Sequence, residues 1–148
     1  MGKKLIIKGA DFSAVAVDID SSGSVLAAIT QAGFAVGNSW TSQGGKKLPE
    51  RTTDNNKRAS CSDFVDISDI TEEVTSITLT PKQGYAFCAY LGNGQEGQTS
   101  ITTWTWNTEA VTYNVDSSVT TIVVMCKAQD DSVLSSNDIK DYLTESRT

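Results

Sequence analysis

Catalysis near neutral pH needs side chains that exchange protons there, attack carbon, or hold a metal, and this chain offers mostly carboxylates. It has 18 Asp and Glu against 12 Lys and Arg, a formal charge of −6, three cysteines and no histidine. The absence of histidine removes the usual general base and the commonest metal ligand, and with them any Ser-His-Asp or Cys-His site. Two carboxylate pairs have the residue types of a glycosidase, Asp63 with Asp66 and Asp130 with Asp131. Consecutive residues of a strand point to opposite faces, and so do residues three apart, so neither pair converges on one bond. A non-enzyme is expected.

Cys61, Cys88 and Cys126 show no CxxC spacing, and an odd number argues against a fully paired framework. Cys88 in YAFCAYL and Cys126 in IVVMCKA lie in apolar runs, where a thiol behaves as a small buried hydrophobe. These two pair only if their strands are neighbours at the Cα separation a bridge demands. Asp18, Asp20, Ser22 and Gly23 copy the first half of a calcium loop, but Ile29 stands where a closing Glu belongs. The stretch is expected to be a polar linker, with no metal and no cofactor.

Binding groups are more plentiful. Trp104 and Trp106 lie two apart and share one face of a strand. Exposed, they form a stacking platform for a glycan or receptor, with Trp40 or Tyr113 beside them and Asn93, Gln95 and Gln98 supplying hydrogen bonds. Buried, they leave Thr103, Thr105 and Thr108 facing water. The Thr-Trp alternation favours burial, since a half-buried strand reads this way. Lys46, Lys47, Arg51, Lys57 and Arg58 cluster without interleaved aromatics in an acidic chain, so they are expected to be solvated and no nucleic-acid partner is expected.

Elements that position these groups can be read from periodicity. The length suits one domain, 21–148, preceded by a segment, 1–20, carrying Leu5, Ile6, Ile7 and Phe12. That segment is either an extended assembly arm or an edge strand of the same domain, which look alike in sequence. No apolar run of about 18 residues exists to span a membrane, and the N-terminus lacks a signal-peptide core. Ile6 stands where an acylation motif wants Ser or Thr. The chain is expected to stay in the cytoplasm until assembled elsewhere.

Residues 25–36 fit either a helix or a strand bulged at Gly33, and an all-β context favours the strand. Residues 37–59 read as a long, exposed polar connection around Trp40. Strand-like runs follow at 63–67, 74–80, 85–91, 101–107, 110–115 and 119–128, with a Pro81-to-Gly84 turn and a Gly-rich loop at 92–97 between them. Short strands at near-regular spacing predict an all-β fold, a two-sheet β-sandwich or jelly roll. Residues 135–139 predict a capped turn entering a short C-terminal helical segment that ends near Leu143.

The runs RASCSDFVDIS, ITLTPKQGYAFCAYLGNGQ and TTIVVMCKAQDDSVLSSNDI resemble, in that order, a jelly-roll module of phage tail and prophage proteins. The opening KKLIIKGADFS resembles that of many small proteins of Bacteroides and its phages. The two resemblances cover most of the chain, with 20–57 least matched. They imply a virion protein made in the bacterial host cytoplasm: a capsid decoration, head-fibre or tail-associated adsorption module, assembled as a homo-oligomer, a trimer above all. Its partners would be other virion proteins, met by an N-terminal arm that adds a strand to a sheet edge. Jelly rolls also host carbohydrate or receptor binding, which is the rival expectation.

Overall fold

A computed structural model describes residues 23–43, 47–97 and 104–148. The expected arm residues Leu5, Ile6, Ile7 and Phe12, the calcium-loop residues 18–22, Lys46, Gln98 and Thr103 lie outside the described residues.

The described chain opens with a helix, α1 (Val25–Ala32), where a strand was expected. The Ser24 side chain accepts a hydrogen bond from the Ala27 amide at 2.9 Å, an N-cap, and Val25, Leu26 and Ile29 form the buried stripe. Gly33 ends the helix at φ 119°, and a Cβ there would sit 3.1 Å from Ser62 Oγ. The positive φ favours glycine, and the Ser62 side chain would have to give by a few tenths of an ångström to admit a Cβ. Strand β1 (Phe34–Thr41) begins at the next residue.

The polar connection expected over 37–59 is instead largely a hairpin. β1 pairs antiparallel with β2 (Glu50–Cys61) from Phe34↔Cys61 to Thr41↔Glu50, with register shifts around Gly37. The first half of β2 is polar because it is exposed; only Ala59, Ser60 and Cys61 are buried.

Two antiparallel sheets follow, and the chain is mostly β, consistent with an all-β sandwich. In the five-stranded sheet, β2 and the short β3 (Val65–Asp66) pair with successive parts of β7 (Thr121–Ala128). β5 (Tyr85–Gly92) lies along β7 from Tyr85↔Ala128 to Gly92↔Thr121. The three-stranded sheet has the order β6 (Val111–Asn114), β4 (Ser76–Pro81), β8 (Leu143–Arg147).

Three local expectations need correction. The strand over 63–67 shrinks to β3, because Asp66 turns the chain into the short helix α2 (Ser68–Thr71). Residues 104–106 form no strand, and Asn107 alone bridges to Phe87. At the C-terminus, Asp138 does cap a turn, accepting from the Lys140 amide, but the helical segment is one 3-10 turn (Ile139–Asp141) and the chain continues as β8. β8 was hidden by charge, since Glu145 and Arg147 occupy the positions registered with inward Leu79 and Ile77.

One core joins the sheets. Phe87, Ala89 and Leu91 of β5 sit beside Cys126, Val124 and Ile122 of β7, and cluster with Ile77, Leu79, Tyr113 and Leu143 of the smaller sheet. The opposite face of β5 and β7 is also buried, at Ala86, Cys88, Tyr90, Val123 and Met125. Over it lies an edge-to-face aromatic series, Trp40 to Phe64 at 5.2 Å and Phe64 to Tyr90 at 6.0 Å.

Candidate functional site

The tryptophan platform does not assemble as a stacking surface. Trp40 is 3% exposed, and its indole N–H donates to the Cys61 carbonyl at 2.8 Å, so it is withdrawn from the candidate contacts. Tyr113 is buried as well, which pushes its hydroxyl pKa up to about 12. Trp104 and Trp106 are half-buried against the core, while Thr105 and Thr108 are exposed.

Trp106 is held by charge. The register Ala59↔Cys126 sets Arg58 next to Lys127, and both cations approach the indole, at 5.0 and 5.1 Å from a ring centroid. Asp131, at φ 60°, accepts from Arg58 at 3.1 Å and from Lys127 at 3.3 Å. The Lys127 hydrogen bond is the leading reason its carboxyl stays below the usual range. Asn93 and Gln95 stand elsewhere: the Gln95 amide donates to Asn93 Oδ1 in the loop after β5. Asn107 bridges to Phe87, six residues before Asn93, which is roughly 20 Å of strand. Trp106, next to that bridge, therefore does not share one site with Asn93 and Gln95.

Three further aspartates are turn formers. Asp66 accepts from Ser68 N and Oγ at 2.8 and 2.7 Å, Asp116 from Ser118 N at 2.8 Å, and Asp130 from Ser132 N at 3.0 Å. These serine hydrogen bonds hold all three carboxyls below their ordinary pKa. Asp63 accepts from the Phe64 amide at 2.7 Å. Of the basic cluster, Arg51 donates to Asn38 Oδ1 at 2.9 Å and Arg58 is engaged as above, while Lys47 and Lys57 are exposed.

Cys88 and Cys126 do lie on adjacent strands, yet they cannot bridge. Cys88 is opposite Met125 and Phe87 is opposite Cys126, so the two thiols point to opposite faces of the sheet. All three cysteines are free and buried. Burial pushes Cys61 and Cys88 up to about 12 and Cys126 well above the ordinary thiol value, which makes them poor nucleophiles.

Two surfaces escaped the sequence reading. The outer face of the three-stranded sheet presents Ser76, Thr78 and Thr80 of β4, Thr112 and Asn114 of β6, and Thr144 and Ser146 of β8. None of these side chains is charged. The register places Thr112, Thr78 and Ser146 in one row, and the Thr78 and Thr112 hydroxyls lie 2.7 Å apart. The alternation of β4 was the available signal, although sequence could not show which strands flank it.

The second surface is a cleft of about 380 Å³ between the turn before β5 and the loop after β7. Gln83, Tyr85, Gln129, Asp130, Ser132, Val133 and Tyr142 are among its lining residues. No stretch of sequence announces it, because its walls come from segments more than forty residues apart.

No family model, curated protein or solved structure matches the chain.

Proposed function

We propose that this chain is a non-enzymatic virion structural protein, a capsid decoration, head-fibre or tail-associated module of jelly-roll type, which assembles through its N-terminal segment 1–20 and self-associates, as a trimer above all. The observation that carries the reading is the uncharged outer face of the three-stranded sheet. Copies of a chain with net charge −6 repel one another, and a flat field of hydroxyls and one amide lets two copies approach without bringing like charges together. A three-strand face measures roughly 15 by 17 Å, well short of the ~1,200–2,000 Å² that a stable interface buries. The N-terminal segment would supply the rest by strand addition to a neighbour. The sequence resemblance to phage modules points the same way.

Light scattering of the full-length chain at several concentrations tests this. A stable trimer or larger species is expected. Asn114→Lys with Ser146→Lys places positive charges on the face at exposed positions of two strands that do not pair with each other, and should lower the mass with the thermal midpoint nearly unchanged. A wild-type chain that stays monomeric at every concentration overturns self-association.

A carbohydrate- or receptor-binding module is the second reading. The observation favouring it is the preformed cleft beside Tyr85, which replaces the tryptophan loop as the place to look.

A further inference from the structure

We infer that the cleft between the turn before β5 and the loop after β7 is a binding site for a neutral saccharide; the inference deepens the second reading above and is independent of self-association. Its walls are tied together before any ligand arrives. The Gln129 amide donates to the Gly84 carbonyl at 2.8 Å, and Gln129 Nε2 donates to the Tyr85 carbonyl at 3.2 Å. On the far side, the Tyr142 hydroxyl donates to the Ser136 carbonyl at 2.6 Å, and the Leu134 amide to the Asn56 carbonyl at 2.9 Å. Asp131 adds its two ion pairs to Arg58 and Lys127. A cleft so fixed loses little conformational entropy on binding.

The lining combines the two kinds of group a sugar ring needs. Tyr85 is half-buried, and its ring meets the buried Tyr142 edge-on at 4.8 Å and 87°. Both line the cleft, and the half-buried Tyr85 offers aromatic surface there for the C–H face of a pyranose. Val133, 60% exposed, is the one large exposed hydrophobic among the described residues, and it adds apolar surface to the lining. The Gln83 amide, the Asp130 carboxylate and the Ser132 and Ser135 hydroxyls supply donors and acceptors for ring hydroxyls.

Charge selects within this class. Asp130 lines the cleft, its carboxyl held in the ionised form, and no Lys or Arg is among the described lining residues. An anionic sugar, a phosphate or a sulfate meets repulsion there, whereas a neutral hydroxyl donates to the carboxylate. A volume of about 380 Å³ is at the small end of ligand pockets, which suits the terminal one or two rings of a glycan and not a long chain.

The test is a glycan array with the full-length protein, carrying neutral glycans ending in glucose, galactose, mannose or N-acetylglucosamine and sialylated controls. Amide-shift mapping with the best neutral binder follows. Binding to a neutral glycan is expected, with shifts at Gly84, Gln129 and residues 132–136. Asp130→Asn keeps an acceptor for Ser132 but removes the charge, and exposed Gln83→Ala removes an amide. Each should weaken binding by about tenfold, while Gln95→Ala leaves it unchanged. No binding to any neutral glycan, a preference for the sialylated controls, or shifts confined to the Trp104–Trp106 and Asn93–Gln95 segments would overturn the assignment. Asp130→Asn should not alter the mass measured by light scattering, so failure of this site and failure of self-association are read separately.

Discussion

The two sheets treat their outer faces in opposite ways. The five-stranded sheet roofs its outer face with its own aromatics: Trp40, Phe64 and Tyr90 in an edge-to-face series, and Trp106 held against Arg58 and Lys127. β5 and β7 are consequently buried on both sides and read as continuous apolar runs. The three-stranded sheet leaves its outer face to hydroxyls, and β4 alternates strictly. An apolar sheet face left open would invite indiscriminate association, whereas a hydroxyl face is soluble alone and still able to meet a matching surface. One sheet thus stores stability, and the other offers a surface.

Alkali should break this comparison most completely. The buried thiols have folded-state pKa values raised above the ordinary 9.0, to about 12 for Cys61 and Cys88, because burial penalises the thiolate. A raised folded pKa means the unfolded chain releases its protons first. The stability these groups contribute is whole below pH 9 and is lost as pH rises toward 12. All three thiols lie in the five-stranded sheet, and a pH series of urea melts should show the midpoint falling from pH 9 to 12; a flat midpoint over that range would refute their burial.

Phe87→Ala should come next. Phe87 is fully buried between the sheets, and its truncation should cost about 3–5 kcal/mol in chemical denaturation. Trp106→Ala unroofs the outer side of the same sheet; a loss of about 2 kcal/mol is expected, together with faster labelling of Cys88 than of Cys61 or Cys126 by a thiol reagent. Unchanged Cys88 labelling would mean that the indole is not the cover.

Glu145→Ala probes the join between the sheets and the helix. Its carboxylate accepts from the Val25 and Leu26 amides at 2.9 and 2.7 Å and pairs with Arg147 at 3.2 Å, so one strand side chain satisfies the first two amides of α1. Loss of about 1–2 kcal/mol and reduced helical signal by circular dichroism are expected. The smallest effect belongs to Thr112→Ala on the open face, within about 0.5 kcal/mol, since that side chain is exposed.

Much of the β framework was legible because its signals are local. The apolar runs of β5 and β7, the alternation of β4, the turn that ends with Gly84 at φ 91° and the Asp138 cap depend on residues only a few positions apart. By itself the sequence also determined that no histidine-based chemistry is available. Tertiary structure decided what depends on a partner strand. The helix over 25–32 is anchored by Glu145, 120 residues away from Val25, which receives the Val25 and Leu26 amides. Trp40 is core because β1 folds back over Met125, whose sulfur lies 3.2 Å from the Trp40 amide. Cys88 and Cys126 stay apart because register, not proximity in the fold, chooses the face each one occupies. The cleft beside Tyr85 exists only where two distant turns meet. Periodicity states which residues share a face; what that face meets is determined by the chain brought against it.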